Sequence, residues 1–113
     1  MIDIQFNPNT LDLSINGHAN YAESGYDIVC SACSILFFTL AESLEQSKKM
    51  LLSDPKISMD NGNGKISCDV KPMYRNTIMR SYWTILNGFQ IMADNYPDNV
   101  KFSFSGLENP QED

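Results

Sequence analysis

The stretch GHANYAESGYDIVCSACS, residues 17–34, joins a strand pattern to the start of a long apolar helix pattern. It contains the only histidine of the chain, His18, and two of the three cysteines, Cys30 and Cys33. Asp27 is a favoured N-cap residue, so the helix should begin directly after it and place Cys30 in the first turn. Backbone N–H groups and the helix dipole favour negative charge there. The sequence therefore favours a thiolate, the nucleophilic form of cysteine, at Cys30.

The segment between His18 and the predicted helix start has no apolar periodicity and includes Gly25. The alternation of the preceding strand would turn His18 towards its polar face, so we predict that the strand ends or bulges at Gly17. Glycine adopts backbone conformations that other residues avoid. We therefore predict a mobile loop beside Cys30, a place where lids over active sites are common. The alternative is an ordinary surface histidine beside an inert buried thiol.

The size and charge of the chain limit the class of protein. The 113 residues suit a single domain over residues 1–105, followed by a flexible acidic tail over residues 106–113. A formal net charge of -6 argues against direct nucleic-acid binding, because phosphate contacts need clustered Lys and Arg. We expect no membrane span, because the longest near-apolar run, 28–41, is short and interrupted by serines. The absence of a signal-peptide pattern predicts a cytoplasmic protein with reduced thiols.

Apolar periodicity predicts the element order ββαββαβ. The first helix should run from Ile28 to the stop signal at Ser53-Asp54-Pro55, and the second from Pro72 to Asn95-Tyr96-Pro97. All the strands have one polar face, which would be solvated if both helices covered the other. The predicted fold class is therefore α+β, a two-layer sandwich with a mostly antiparallel sheet and two helices packed on one face. The order of the strands stays open.

The sequence DNGNG at residues 60–64 superficially resembles a calcium-binding loop. If Gly64 took position 6 of an EF-hand loop, Met59 and Val70 would stand at positions 1 and 12, where carboxylates are needed. We therefore predict no metal site, and the sequence gives no sign of a cofactor. Cys68 lies in the apolar phase of its strand and is expected to be a small core residue.

Three parts of the chain resemble one family. These are GHA at residues 17–19, GYDIVC at residues 25–30 and the serine at position 34, which are similar to the ribosomal-processing cysteine proteases of the Prp (YsxB-like) family. The similarity is clearest over residues 15–44. The resemblance implies a homodimeric protease that removes the N-terminal extension of bacterial large-subunit ribosomal protein L-twenty-seven, or of a related phage protein. Cys33 departs from the family pattern, in which this position usually carries a small apolar residue.

The resemblance also implies a Cys30/His18 dyad. Cys30 would attack the peptide carbonyl carbon, His18 would exchange protons with the thiol and the leaving amine, and backbone N–H groups near Cys30 would stabilise the oxyanion. Asp27 could support His18 as a third member, although capping of the helix explains an aspartate there as well. Ser34 follows Cys30 by one helical turn, so its hydroxyl could assist substrate binding or bond the carbonyl of the preceding turn.

Two other classes of protein compete with the protease. Cys30 and Cys33 form a C-x-x-C pair at a helix start, which is typical of thiol-disulfide redox proteins, although a loop rather than a strand precedes this pair. Within a protease, Cys33 could still act as a redox partner by forming a disulfide with oxidised Cys30, or it could be only a small buried residue. The third class is a non-catalytic ribosome-assembly interaction protein that has kept only the fold.

Overall fold

Five strands and two long helices alternate along the chain in the predicted order. The structure, a computed structural model, describes residues 1–23 and 25–106. The elements are β1 (Ile2–Asn7), β2 (Asp12–Asn16), α1 (Ile28–Gln46), β3 (Lys56–Asp60), β4 (Asn63–Ser67), α2 (Arg75–Asn95) and β5 (Val100–Phe104). The predicted acidic tail, apart from residue 106, lies outside the described residues, as does Ser24 of the predicted loop.

The five strands form one sheet in the order β3-β4-β2-β1-β5. Three neighbouring pairs are antiparallel, and β5 pairs with β1 in parallel. One face of the sheet carries polar side chains such as Gln5, Ser14 and Lys65 around an open depression. The predicted α+β class with a mostly antiparallel sheet is confirmed, and the strand order that the sequence left open is now defined.

The core lies between the apolar face of the sheet and the two helices. Ile4 and Phe6 of β1 and Leu13 of β2 have no exposed surface, as the alternation of the sequence predicts. The helices contribute Val29, Cys33, Phe37, Leu40, Leu44, Ile78, Tyr82, Ile85, Leu86 and Phe89. The apolar stripes of the helices and the alternating strands therefore close one continuous core.

The first helix ends earlier than predicted. It stops at Gln46 and is followed by a short 3₁₀ helix, Lys48–Met50, instead of continuing to residue 52. Leu51 is buried and forms an isolated antiparallel bridge with Val70. An α-helix that continued past Gln46 would carry Leu51 away from this bridge, so the tertiary contact overrides the local stop signal.

The third cysteine follows β4 instead of lying inside it. β4 ends at Ser67, three residues before Val70, to which the alternation of apolar residues extends. Cys68 is nevertheless buried, and its Sγ lies 3.4 Å from the hydroxyl of Tyr82. Burial raises the pKa of the Cys68 thiol, which keeps it protonated at neutral pH. The predicted core role of Cys68 is confirmed.

By length and composition, α1 could cross a membrane. An 18-residue window within Ile28–Gln46 has a mean hydropathy of 1.6, so the helix is more apolar than its serines suggest. The core helix of a soluble protein meets the same two criteria. Val29, Cys33 and Phe37 of this helix have no exposed surface inside the fold. Hydropathy alone is therefore weak support for a membrane span.

Candidate active site

The N-terminus of α1 is capped by Asp27, as predicted. Its Oδ1 accepts hydrogen bonds from the backbone N–H groups of Val29, at 3.0 Å, and Cys30, at 2.9 Å. Cys30 is the third residue of the helix and is only partly buried. Its Sγ accepts a hydrogen bond from the backbone N–H of Ala19, at 3.2 Å. Cys30 is thus an accessible thiol group with a donor aimed at its sulfur.

The second carboxylate oxygen of Asp27 holds the loop. Oδ2 accepts hydrogen bonds from the N–H groups of Tyr21, at 2.9 Å, and Ala22, at 3.3 Å. Burial raises the pKa of Asp27, but the donors from Cys30, Tyr21 and Ala22 outweigh it and lower the pKa. The four hydrogen bonds that the Asp27 carboxylate accepts within the described residues come from the backbone, and none comes from His18. This carboxylate joins the loop to the helix.

A turn at Gly17 sets the direction of His18. β2 ends at Asn16, and Gly17 has φ +100°, a conformation that favours glycine. A Cβ atom at Gly17 would also overlap the carbonyl oxygen of Met1. The N–H of Gly17 donates to the carbonyl of Gly62, at 2.9 Å. The predicted end of the strand at Gly17 is confirmed, and it leaves His18 exposed at the mouth of the loop.

The turn between β3 and β4 supports the imidazole, a role that the sequence did not reveal. Asn61 and Gly62 form this two-residue turn with φ +50° and +82°, which suits an Asn-Gly hairpin. A Cβ atom on Gly62 would lie 2.8 Å from Nε2 of His18, so the ring rests directly on the glycine. The Asn-Gly pair could have indicated a tight hairpin, but it carries no information that the hairpin tip reaches His18.

Ala19 connects the loop to a distant part of the chain. This residue is almost completely buried, and its carbonyl accepts a hydrogen bond from Nδ2 of Asn99, at 2.9 Å. Asn99 directly precedes β5 and is 80 residues away in the sequence. No local pattern marks Asn99, because it approaches Ala19 only when β5 pairs with β1.

Two cavities meet at Cys30. The first, which we call the polar cleft, has a volume of about 340 Å³. It is lined by His18, Asn20, Ala22, Gly25, Asp27, Cys30 and Ser31. The second, which we call the apolar pocket, has a volume of about 230 Å³. It is lined by Ile2, Ile15, Gly17, His18, Cys30, Cys33, Ser34, Phe38, Met59 and Gly62. Both cavities include His18 and Cys30, so the fold brings the two predicted dyad residues to a common border.

The other predicted site residues are divided between these cavities. Gly25 has φ +92° and lies in the wall of the polar cleft. Ser34 lies in the apolar pocket, and among the described residues its hydroxyl does not form the predicted bond to the preceding turn. Cys33 reaches the same pocket but is fully buried. Burial, together with the nearby Cys30 and Asp27, raises the pKa of Cys33 to about 12, so its thiol stays protonated at neutral pH.

The sequence model of the family described as cysteine protease Prp matches residues 1–101. The chain belongs to this family. It is therefore a cysteine peptidase by membership, as the resemblance of the GHA and GYDIVC segments implied. Among curated proteins, the chain is 24% identical over 105 residues to the ribosomal processing cysteine protease Prp of Staphylococcus aureus, covering 91% of this chain and 96% of that protein.

Solved structures of Prp proteins share the fold. The crystal structure of S. aureus Prp with a covalently linked product peptide aligns with a TM-score of 0.76 at 22% identity, covering 93% of this chain and 100% of that one. A second S. aureus Prp structure, in complex with a substrate peptide, aligns with a TM-score of 0.66 at 23% identity, covering 92% and 97%. At these identities the structural likeness establishes a common fold.

Proposed function

We propose that the chain is a cysteine endopeptidase that removes the N-terminal extension of bacterial large-subunit ribosomal protein L-twenty-seven, or of a related phage protein. A dyad of Cys30 and His18 carries out the cleavage. The observation that carries the proposal is the border between the two cavities, because His18 and Cys30 line both of them. Any peptide that spans the polar cleft and the apolar pocket must pass the sulfur and the imidazole.

The proposed reaction has two halves. The Cys30 thiolate attacks the scissile carbonyl carbon, the peptide C–N bond breaks, and the His18 imidazolium gives its proton to the leaving amine. His18 then takes a proton from water, which attacks the thioester. The second product leaves as a carboxylic acid, and the thiolate is restored. Atoms and charge balance without a cofactor.

The oxyanion donor in this proposal is the backbone N–H of Ala19. The N–H groups of Val29 and Cys30 already bond Oδ1 of Asp27, and the N–H of Ser31 bonds the Asp27 carbonyl, at 3.0 Å. The N–H of Ala19 instead points at Sγ. Negative charge moves from the sulfur to the carbonyl oxygen as the new bond forms. A donor beside Sγ can therefore form a hydrogen bond with that oxygen as it becomes negative.

A peptide substrate is consistent with the chemistry around the dyad. S. aureus Prp structures contain a substrate peptide or a covalently linked product peptide. In this chain, the apolar pocket offers the side chains of Phe38 and Met59 to an apolar residue next to the cut. The formal charge of -6 would attract the lysines of a ribosomal protein. Cleavage of such a substrate places the enzyme in the cytoplasm, where ribosomal proteins are made.

The decisive experiment is a cleavage assay with the purified chain and an N-terminally extended ribosomal protein of this type, with the products identified by mass. We expect one cut at the end of the extension. The same protein without its extension should stay intact and serves as the control. An intact extended protein after prolonged incubation with freshly reduced enzyme would overturn the substrate assignment.

We also propose a homodimer. Ile35 and Phe38 on the outer side of α1 are 64% and 47% exposed, and with Thr39 and Glu42 they line an open groove of about 530 Å³. A second copy would cover this apolar surface, and Phe38 would then join the interface to the apolar pocket. We expect a dimeric mass by light scattering at micromolar concentration. A monomeric mass there would contradict the proposal.

The redox alternative has less support. In this alternative Cys33 would be the second thiol of the pair, but it is buried and its pKa is raised to about 12, so its thiolate is scarce at neutral pH. The family match likewise favours the peptidase. No contact among the described residues favours a purely structural role in ribosome assembly over catalysis.

A further inference from the structure

We propose that Asn99 is a positioning residue of the active site, a role that rests on the proposed function of Cys30 and His18. The Asn99 side chain does not line either cavity. Its amide Nδ2 donates to the carbonyl of Ala19, at 2.9 Å, and the N–H of Ala19 in turn donates to Sγ of Cys30, at 3.2 Å. Asn99 therefore acts on the sulfur through one intervening residue.

The backbone of Asn99 provides a rigid base for this contact. Its N–H donates to the carbonyl of Tyr96, at 2.9 Å, and its carbonyl accepts from the N–H of Ile2, at 2.8 Å. Ile2 begins β1, which lies inside the sheet, so the position of Asn99 is set by the core. The side-chain amide holds the loop at this fixed position through its hydrogen bond to Ala19. A change confined to the side chain would leave both backbone hydrogen bonds in place.

The residues on both sides of His18 are fixed by partners outside the loop. Gly17 donates to the carbonyl of Gly62 at the tip of the β3–β4 hairpin, and Ala19 accepts from Asn99 at the start of β5. The peptide bond between His18 and Ala19 supplies the donor that faces Sγ. Loss of the Asn99 amide would leave the carbonyl of Ala19 as a part-buried acceptor without its partner, free to turn towards water. The carbonyl and the N–H of Ala19 lie on opposite sides of its Cα, so the loss would act by letting Ala19 as a whole shift, which would move the donor and the neighbouring imidazole.

The test replaces Asn99 with a side chain of similar size that lacks a donor. Asn99→Leu should lower kcat about tenfold to a hundredfold with little change in KM, because the misplaced groups act mainly in the transition state. Asn95→Leu is the matched control, since Nδ2 of Asn95 also donates to a backbone carbonyl, that of Ile91, at 2.8 Å, but at the exposed end of α2. Asn99→Ala provides a second variant in case leucine disturbs folding. Thermal unfolding verifies that all three variants are folded.

A measurement that needs no substrate separates positioning from a structural role. The rate of Cys30 alkylation by iodoacetamide, followed by peptide mapping as a function of pH, reports the reactive thiolate. Asn99→Leu should slow alkylation across the whole profile, because Sγ would lose the donor that Ala19 directs at it. Asn99→His, whose ring N–H can take the place of Nδ2, should restore part of both kcat and the profile. Asn95→Leu should change neither.

The two proposals can fail separately. If the wild-type chain cleaves no ribosomal protein but Asn99→Leu still slows alkylation, the substrate assignment is wrong and the positioning role stands. If Asn99→Leu and Asn99→Ala are folded and keep both the wild-type kcat and the wild-type alkylation profile, the positioning role is wrong. An equal slowing in Asn95→Leu would also overturn it, because the effect would then follow from losing any amide cap.

Discussion

The polar cleft and the apolar pocket share His18 and Cys30 but are built in different ways. Every residue that lines the polar cleft comes from one segment, residues 18–31. The apolar pocket draws on β1, β2, β3, the β3–β4 turn and α1. A wall made from one segment depends on the few hydrogen bonds that hold that segment, whereas a wall made from five elements depends on the whole fold. We call the polar cleft the adjustable side of the dyad, because we predict that its loop moves, and the apolar pocket its rigid side.

This contrast suggests a division of labour in the proposed protease. The rigid apolar pocket can select a side chain by its size and polarity, because Ile15 and Met59 belong to the sheet. The polar cleft is lined by polar residues such as Asn20 and Ser31, which suit the peptide backbone and water. The mobility of the loop stays a prediction. In the structure, Asp27 and Asn99 hold the loop at Tyr21, Ala22 and Ala19.

The largest effect should come from the two residues that both cavities share. We expect Cys30→Ala and His18→Ala each to abolish cleavage while leaving thermal unfolding almost unchanged, because His18 is exposed and Cys30 is only partly buried. Cys68→Ala is the control, since it removes a buried thiol remote from both cavities and should cost about 1 kcal/mol of stability with little loss of activity. Near-wild-type cleavage by either dyad variant would refute the dyad.

The second effect tests the rigid side through Gly62. A methyl group there would lie 2.8 Å from Nε2 of His18, so Gly62→Ala should displace the imidazole and lower kcat about a hundredfold. Asn61→Ala in the same turn is the matched control. Both changes place alanine at a positive φ and should cost about 1 kcal/mol or more of stability. Only Gly62→Ala adds an atom against His18. Equal losses of kcat in the two variants would therefore contradict the idea that Gly62 supports the His18 imidazole.

The third effect tests the adjustable side through Asp27. Asp27→Asn keeps an oxygen for the cap of α1 but loses the acceptor for Tyr21 and Ala22, so it should lower activity severalfold at a small cost in stability. Asp27→Ala removes the cap as well and should cost about 1–2 kcal/mol. If Asp27→Asn were as active as the wild type, the contacts of Asp27 with the loop would be irrelevant to cleavage, and this prediction would be wrong.

The lowered pKa of Asp27 adds a pH test with a defined sign. Its carboxylate contributes its full stabilisation above the pKa of an unfolded aspartate, about 3.9, and loses it as the pH falls through the lower folded value. The stability of the wild-type chain, measured by urea unfolding, should therefore fall more steeply below pH 4 than that of Asp27→Asn. Parallel curves for the two proteins would show that the Asp27 carboxylate contributes no such stability.

The sequence predicted the adjustable side better than the rigid side. The cap at Asp27, the helix start at Ile28 and the strand end at Gly17 follow from local backbone preferences, which neighbouring residues reveal. The roles of Gly62 and Asn99 depend on which strands are neighbours in the sheet, and one sequence does not fix that order. Likewise, α1 ends early because Leu51 pairs with Val70, a contact with no local signature.

The smallest effect concerns Cys33, which belongs to the apolar pocket and to the core. Peroxide would oxidise the Cys30 thiolate to a sulfenic acid, and attack by the Cys33 sulfur would form a disulfide and release water. The raised pKa of Cys33, about 12, makes its thiolate scarce at neutral pH. As the pH rises towards that value, the thiolate becomes about tenfold more abundant with each pH unit. We therefore expect dithiothreitol to recover little more activity in the wild type than in Cys33→Ala at pH 7, and clearly more at pH 9. Equal recovery of the two proteins at both pH values, with no Cys30–Cys33 disulfide in the peptide map, would leave Cys33 as a packing residue.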